Sequence, residues 1–287
     1  MRQWFVMSAL ALVLSGQMTA AADELHGTVQ IKGSDTMVNL CQAWAEAFMA
    51  KHPRTAVAVT GGGSGTGIAA LIAGTCDLAA ASRKMKPKEI ALAQAQGGQP
   101  QEWTVGLDGL AVVVHPSNPV KQLTLEQLAD LFTGTIRNWR ALGGQDKTVV
   151  LLSREVNSGT HVYFKEHVPG TTPGGQSREF SPEALLLPSS QAIADEVATN
   201  AAAIGYYGMG YLTPRNAAVA IARTAADPFL LPTEALVRAR TYPISRPLLF
   251  YSREAVQGLT KAFMDFVMSP EGQEIVRRTD FVPVAAH

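Results

Sequence analysis

Short apolar runs alternate along the chain with segments in which apolar residues recur at every third or fourth position. The first run, at 29–31, predicts a strand, and the apolar face from Met37 to Phe48 predicts a helix that ends before Pro53. The same order recurs twice, with strands at 56–60 and 77–81, a loop at Gly61–Gly67, and helices at 68–74 and 87–96. Repeated strand–loop–helix units are typical of a parallel sheet that is covered by helices.

A second series of elements begins after the apolar strand Leu110–Val114. Thr124 and Gln127 have the spacing of a capping box, which starts a helix that runs through Phe132. Further strands are predicted at 148–152, 203–207 and 248–251, and further helices at 162–168, 191–199 and 259–276 with a break at Pro270. Two such series predict an α/β protein of two lobes.

Two extended segments carry the chain between these lobes, the strand that ends at Val114 and the stretch Tyr242–Pro247. The expected architecture is therefore a ligand cleft between two lobes that are joined by two crossing strands. We assign 24–113 and the C-terminal return 245–287 to lobe I, and 114–244 to lobe II.

The first 22 residues have the features of a cleaved signal peptide. Arg2 is positive, the apolar stretch Ser8–Leu14 is too short to span a bilayer, and small residues precede Asp23. We therefore predict a signal peptide at 1–22 and a periplasmic mature chain that does not insert into the membrane.

Composition narrows the choice of ligands. Basic and acidic side chains balance at 24 each, and no basic stripe or acidic tail is present, which argues against nucleic acid as a partner. Affinity for an anion must then come from local geometry. Cys41 and Cys76 are the two cysteines, and their expected places at opposite ends of neighbouring strands predict two buried free thiols.

Three helix N-termini open with Ser, Thr or Gly directly after a strand, at 33–36, 63–67 and 158–160. A helix N-terminus presents unpaired N–H groups and a positive dipole end, and glycine lets an anion approach the backbone. Each one alone is an ordinary cap, but three at the carboxyl ends of strands indicate a binding edge. Arg154 precedes the third N-terminus, and its guanidinium fits two oxygens of one anion.

Enzymatic readings find little support. Gly65–Ala70 fits a dinucleotide fingerprint, yet the next strand ends at Ser82 and Arg83 without the acid that would hold a ribose. No Walker lysine and no G-x-S-x-G frame is present, and the six histidines lack metal-ligand spacing. We expect no catalytic residues, no metal and no cofactor.

Several motifs in the same order resemble the periplasmic phosphate-binding proteins of phosphate ABC importers. They cover nearly the whole mature chain: Lys32-Gly33-Ser34-Asp35-Thr36-Met37, Gly61-Gly62-Gly63-Ser64-Gly65-Thr66-Gly67-Ile68, Ala81-Ser82-Arg83-Lys84-Met85, Leu107-Asp108-Gly109-Leu110, Phe132-Thr133-Gly134-Thr135-Ile136-Arg137-Asn138-Trp139, Ser153-Arg154-Glu155 with Asn157-Ser158-Gly159-Thr160, and Ser269-Pro270-Glu271-Gly272-Gln273.

The resemblance implies a monomeric type II Venus-flytrap receptor that binds inorganic phosphate with high affinity and delivers it to an inner-membrane ABC permease. It places ligands at Thr36, Met37 (through its backbone N–H), Ser64, Ser82, Arg154, Ser158, Gly159 and Thr160. Ser34 at the first helix N-terminus and Asp108 complete the set of residues that we predict to bind phosphate.

One position departs from the best-known branch of that family. Where the branch has an Asp that accepts the proton of hydrogen phosphate, this chain has Arg83. Asp108 is then expected to be the acceptor, and Asp35 is the weaker candidate. The alternative is that Asp108 has a purely structural role, in which it caps a turn or pairs with Arg83. Two other functions remain open: binding of another oxyanion such as sulfate, and a periplasmic phosphatase, which would need a metal site.

Overall fold

The computed structural model describes residues 25–170 and 177–284, so the signal peptide expected at 1–22 lies outside the described residues. Within the described ranges, no helix is long and apolar enough to cross a membrane.

Apolar alternation and strand pairing produce eleven strands within the described residues. They are β1 Gly27–Gly33, β2 Thr55–Thr60, β3 Leu78–Ala81, β4 Gln101–Val114, β5 Gln122–Thr124, β6 Val150–Arg154, β7 Leu185–Leu187, β8 Ala203–Gly208, β9 Ala217–Ala218, β10 Ala220–Ala222 and β11 Ser245–Ser252.

Helices connect most of these strands. They are α1 Val38–Lys51, α2 Ser64–Ile72, α3 Pro87–Ala95, α4 Leu125–Thr133, α5 Gly159–His167, α6 Ser190–Thr199, α7 Glu234–Arg238, α8 Gly258–Met268 and α9 Pro270–Arg278, with 3₁₀ turns at Asp35–Met37, Trp139–Leu142 and Met209–Tyr211.

One curved sheet runs through both lobes in the order β2-β1-β3-β11-β4-β8-β6-β7, with β9 beside β4. Strands β1, β2 and β3 are parallel, as predicted, but β11 is antiparallel to both β3 and β4. The sheet is therefore mixed and not purely parallel. Strand β4 pairs with β11 through Gly109 and with β8 from Leu110 onward, so it changes lobe between these two residues.

Each lobe has a hydrophobic core on both faces of its part of the sheet. Along β11, Leu248 and Phe250 pack into one core of lobe I, whereas Leu249 and Tyr251 pack into the other. This alternation follows from the two-residue period of a strand. Helices supply the rest of these cores, for example Trp44 from α1.

The C-terminal helices return to the first lobe, as the sequence predicts. Trp44 donates its indole N–H to the carbonyl of Gly272 at 2.7 Å, which ties α9 to α1. Gln273 donates to the carbonyl of Val105 at 3.1 Å and so ties α9 to β4. Pro270 breaks the predicted long helix into α8 and α9, with Ser269 as the cap of the second.

Several element boundaries differ from the prediction, and two of the differences bear on the site. Helix α2 begins at Ser64, so the last four residues of the predicted loop Gly61–Gly67 are helical. The helix lies so close to β1 that a Cβ on Gly67 would be 2.3 Å from the carbonyl oxygen of Lys32, and glycine is required there. Strand β4 begins at Gln101, nine residues before the predicted strand, because pairing with β11 holds a segment whose polar residues interrupt the apolar pattern.

Both cysteines are buried free thiols, as predicted. Burial raises the pKa of the Cys76 thiol to about 11 and raises the pKa of Cys41 still further. Because the thiolate is the reactive form of cysteine, both thiols have low reactivity in the folded protein.

We expect the folded protein to react slowly with a thiol reagent such as DTNB, and the unfolded protein to release two equivalents without prior reduction. Absorbance at the reporter wavelength, with and without guanidinium, measures both quantities. Fewer than two thiols after unfolding in the absence of reductant would contradict the assignment of free cysteines.

Candidate functional site

The carboxyl ends of β1 and β3 bring two chain turns of lobe I together. Gly33 ends β1 with φ 140°, and a Cβ there would lie 2.1 Å from the carbonyl oxygen of Ala80 in β3, so glycine is required. The N–H of Ser34 donates to that carbonyl at 2.8 Å. The chain then enters the 3₁₀ turn that leads into α1.

Three serine hydroxyls of lobe I meet at this edge. The hydroxyl of Ser34 donates to Ser82 Oγ at 3.0 Å, and Ser64 Oγ lies 3.4 Å from the same oxygen. The N–H of Ser82 donates to Ser64 Oγ at 3.0 Å. All three side chains are buried. The motifs at 32–37, 61–68 and 81–85 therefore each contribute one serine to a single polar cluster.

Lobe II presents the N-terminus of α5 to this cluster. Ser158 caps the helix by accepting from the N–H groups of Thr160 and His161 at 3.2 and 3.4 Å. The hydroxyl of Thr160 lies 2.8 Å from the hydroxyl of Thr36 in lobe I. A Cβ on Gly159 would lie 2.2 Å from Ser64 Oγ, so this close approach requires glycine.

Backbone contacts at Asn157 also join the lobes. The N–H of Gly65 donates to the carbonyl of Asn157 at 3.0 Å, and the amide of Asn157 donates to the carbonyl of Gly62 at 2.9 Å. A Cβ on Gly63 would lie 2.8 Å from the same Asn157 carbonyl. The glycines predicted to admit an anion thus also admit the backbone of the other lobe.

Arg154 is buried and bridges the lobes. Its Nη1 lies 3.0 Å from Asp35 Oδ2 and donates to Ser190 Oγ at 3.0 Å, while Nε and Nη2 donate to the carbonyls of Leu187 and Pro188. Burial lowers the pKa of the Arg154 guanidinium, and the Asp35 carboxylate opposes this shift. An arginine keeps its charge under such conditions, so the pair is a salt bridge.

A second buried arginine, Arg246, reaches the same cluster and was not predicted. It forms a salt bridge with Asp108, with Nη2 2.8 Å from Oδ2, and both side chains are fully buried. Its Nη1 donates to the carbonyl of Ser82 at 3.1 Å and its Nη2 to Thr36 Oγ1 at 3.4 Å. The only sequence signal for Arg246 was its place in the extended crossing Tyr242–Pro247.

Two of the predicted ligands have other partners here. Both Asp108 oxygens already accept hydrogen bonds, Oδ2 from Arg246 and Oδ1 from the N–H of Met209 at 2.9 Å. Met37 directs its N–H to the carbonyl of Ser34 at 3.1 Å, and its side chain packs in the core. That Asp108 accepts a ligand proton and that Met37 donates to a ligand remain predictions.

Arg83 does not pair with Asp108, contrary to the structural alternative considered for it. Its guanidinium binds both oxygens of Glu89 at 2.8 Å, on the first turn of α3. Burial opposes ionisation of Glu89, but the hydrogen bond and charge of Arg83 outweigh it and lower the pKa of that carboxyl. Arg83 is therefore occupied within lobe I.

Comparison with known proteins identifies the family. The PBP superfamily domain matches residues 18–271. The phosphate-binding protein PstS of Pseudomonas aeruginosa is 32% identical over 312 residues, which span 98% of this chain and 95% of the relative. The PstS protein of Bacillus subtilis is 31% identical over 264 residues, which span 91% of this chain and 82% of the relative. The chain belongs to the PstS family of phosphate-binding proteins.

Solved structures agree with this assignment to the PstS family. A putative phosphate ABC transporter substrate-binding protein from Clostridium perfringens, solved with bound phosphate, has a TM-score of 0.80 and 34% identity. An ABC-type phosphate transport receptor from Vibrio cholerae has a TM-score of 0.71 and 29% identity. Each similarity covers 90% of this chain and 100% of the other. The predicted two-lobe periplasmic-binding-protein-like fold is confirmed.

The PstS family consists of transporter substrate-binding proteins and not of enzymes. Within 25–170 and 177–284, no group of three or more His, Cys, Asp or Glu side chains is placed to hold a metal ion. The polar cluster consists of hydroxyls, N–H groups and two paired arginines, which suits recognition of an oxyanion by hydrogen bonds.

His161 lies directly behind this site in the PstS-family chain. Its Nδ1 is 3.2 Å from the hydroxyl of Ser153, which in turn lies 2.6 Å from the hydroxyl of Tyr206. Burial lowers the pKa of His161 below its ordinary value. The neutral imidazole is therefore the form that the fold accommodates.

We expect His161 to make the protein less stable in mild acid. Its pKa is lower in the folded state, so the unfolded chain takes up the proton first as the pH falls below about 6.5, and stability is lost from there through the folded pKa. Melting temperatures from about pH 8 to about pH 5 should fall less steeply in His161→Gln than in the wild type. Parallel curves for the two proteins would contradict this role.

Proposed function

We propose that this chain binds inorganic phosphate between its two lobes and delivers it to an ABC-type phosphate importer. The observation that carries the proposal is the buried cluster of hydroxyls at three helix N-termini, of which lobe I contributes two and lobe II one. The PstS relatives and the phosphate-bound structure from Clostridium perfringens support the choice of ligand.

The cluster matches the chemistry of a tetrahedral oxyanion. Hydroxyls from both lobes point at one region, and the positive ends of α2 and α5 face it. The two arginines are each balanced by a carboxylate, Asp35 for Arg154 and Asp108 for Arg246. The cluster therefore carries little net charge, and we propose that hydrogen bonds and helix dipoles stabilise the anion.

The proposed phosphate ligands are those that the sequence predicted. Lobe I contributes hydroxyls and one N–H, and lobe II contributes the guanidinium and the N-terminus of α5; the residues are Ser34, Thr36, Met37, Ser64, Ser82, Arg154, Ser158, Gly159 and Thr160. A hydroxyl both donates and accepts, so the serines and threonines also accept the proton of hydrogen phosphate. The sequence also predicts Asp108 as an acceptor, but both of its oxygens already accept hydrogen bonds, from Arg246 and from the N–H of Met209.

The cellular setting follows from the same proposal. A signal peptide at 1–22 directs the chain to the periplasm, where the mature protein acts as a monomer and docks on an inner-membrane permease. We also propose the domain division at 24–113 with 245–287 for lobe I and 114–244 for lobe II. In support, β4 passes from β11 to β8 close to the first boundary, and β11 begins at the second.

Calorimetric titration of the dialysed mature protein tests the ligand directly. Phosphate should bind at one site, arsenate should compete with it, and sulfate should bind far more weakly. Stronger binding of sulfate than of phosphate would assign the protein to another oxyanion. A separate assay tests the alternative of a phosphatase: the protein is incubated with a phosphomonoester, with and without divalent metal, and release of phosphate would identify it as an enzyme.

We expect Arg154→Ala to weaken phosphate binding at least about tenfold. A hydrogen bond to a charged group contributes about 1.5–3 kcal/mol, and 1.4 kcal/mol is a factor of ten in affinity. Calorimetry measures the change, and Arg137→Ala, which removes an exposed arginine, is the matched control. An affinity within about twofold of the wild type would remove Arg154 from the site.

We expect Gly159→Ala to prevent full closure of the lobes. The added Cβ would meet Ser64 Oγ at 2.2 Å and Ser82 Oγ at 2.7 Å, which is too close for the lobes to approach. Small-angle scattering should show that phosphate reduces the radius of gyration of the wild type but not of the variant.

Gly97→Asn is the control for this closure experiment, because Gly97 lies in an exposed turn where an added Cβ would have no other atom within 4 Å. The control should close as the wild type does. A Gly159→Ala protein that closes fully with phosphate would contradict the close approach of the lobes.

A further inference from the structure

Arg246 and Asp108 lie opposite each other on the two crossing strands. They are register partners in the antiparallel pair of β11 and β4, next to the point where β4 changes lobe. Arg246 Nε donates to Asp108 Oδ2 at 2.9 Å, and Nη2 lies 2.8 Å from the same oxygen. A fully buried ion pair thus lies at the hinge between the lobes.

The remaining hydrogen bonds of Arg246 are directed at the proposed phosphate site. Its Nη1 donates to the carbonyl of Ser82, and its Nη2 donates to Thr36 Oγ1, which lies 2.8 Å from Thr160 Oγ1. The bond to Thr36 is long, at 3.4 Å, so an anionic oxygen would compete with it readily. The guanidinium is therefore adjacent to hydroxyls that we assign to the ligand.

Asp108 is placed to fix the orientation of this guanidinium. Its Oδ2 accepts from Arg246, and its Oδ1 accepts from the N–H of Met209 at 2.9 Å. A Cβ on Gly208 would lie 2.9 Å from Oδ2 and 3.0 Å from Oδ1, so the backbone of β8 packs directly against the carboxylate. The carboxylate has one orientation in this environment.

Pairing of strands alone does not account for such a pair. Burying two charges carries a large desolvation penalty, and apolar residues of similar size hold crossing strands equally well. The guanidinium of this pair also donates to Thr36 and Ser82. A ligand that binds beside the guanidinium would account for the presence of a buried charge here. The position next to the hydroxyl cluster indicates the class of ligand, which is an oxyanion.

We propose that Arg246 is a further phosphate-binding residue and that Asp108 is its positioning residue. The inference rests on the proposed function and deepens it. The hydrogen bonds of Arg246 go to lobe I and to the crossing strand, whereas Arg154 belongs to lobe II. Each lobe then supplies one guanidinium.

Calorimetric titration of Arg246→Gln with phosphate tests the binding role. We expect a loss of affinity of about tenfold or more, the effect of one charge-assisted hydrogen bond. Arg83→Gln is the matched control, since Arg83 is also buried and follows Ser82 directly but binds Glu89. The control should bind phosphate within about twofold of the wild type.

The pH profile separates a charge that faces the ligand from a loosened hinge. If Arg246 binds the anion, the loss in Arg246→Gln is larger at the pH where phosphate is a dianion than where it is a monoanion, because Coulomb attraction scales with ligand charge. An equal loss at both pH values, or an affinity within about twofold of wild type, would overturn the binding role.

A double-mutant cycle with Asp108→Asn tests the positioning role. We expect Asp108→Asn to weaken phosphate binding in the wild type and to add no further loss in Arg246→Gln. The double variant also removes both charges together, so it leaves no unpaired buried charge and keeps the test possible if Arg246→Gln is poorly folded. An additional loss in the double variant would instead show that Asp108 contacts the ligand, as a proton acceptor does.

These outcomes are distinguishable from failure of the proposed function. Wild-type protein that binds no phosphate would refute both the function and the role of Arg246. Wild-type binding that Arg154→Ala weakens and Arg246→Gln leaves unchanged would refute the role of Arg246 alone.

Discussion

The helix N-termini of the two lobes face one another with their hydroxyl groups buried between them, and the remainder of the site depends on this arrangement. N–H and hydroxyl groups buried in such a place need partners, because an unpaired buried polar group is costly. Here Thr36 pairs with Thr160, and Ser34, Ser64 and Ser82 form one hydroxyl cluster. An oxyanion offers more acceptor positions than these neighbours do, so the same groups favour its capture.

Charge is balanced locally and not across the surface. Basic and acidic residues are equal in number over the chain, and the two buried arginines at the cleft are each paired with an aspartate. Each pair also connects two parts of the structure. The pair Asp35–Arg154 bridges the two lobes, and the pair Asp108–Arg246 bridges the two crossing strands. Overall electrostatic attraction for an anion is therefore small, and affinity has to come from local hydrogen-bond donors.

Glycine sets how closely the lobes approach each other. Gly63 and Gly159 lie where a single added carbon would be 2.8 Å or less from an oxygen of the opposite lobe. The two crossing strands allow this approach while they keep one continuous sheet through the molecule. The two lobes thus meet backbone to backbone and hydroxyl to hydroxyl.

The sequence by itself determined the main helices and strands and the two-lobe fold, and it indicated the motifs whose hydroxyls meet in the buried cluster. Helical periodicity, the capping box at Thr124 and the break at Pro270 are local signals, and the structure contains each of them. The hydroxyls of the lobe I motifs converge because β1 and β3 are parallel and end at the same edge of the sheet. The N-terminus of α5 comes from β6 in the other lobe, which runs in the opposite direction, so the facing of the two lobes brings it to the same place.

The strand pairing and the buried ion pair at the hinge between the lobes became apparent only in the tertiary structure. The polar start of β4 and the antiparallel place of β11 depend on pairing between distant parts of the chain. Arg246 and Asp108, which pair there, are 138 positions apart in sequence. Arg83 stands next to Ser82 in sequence but binds Glu89, whereas Arg246, from a distant strand, reaches the hydroxyl cluster. The register between two strands is a long-range property of the fold. The local sequence pattern therefore does not show which arginine will face a given carboxylate.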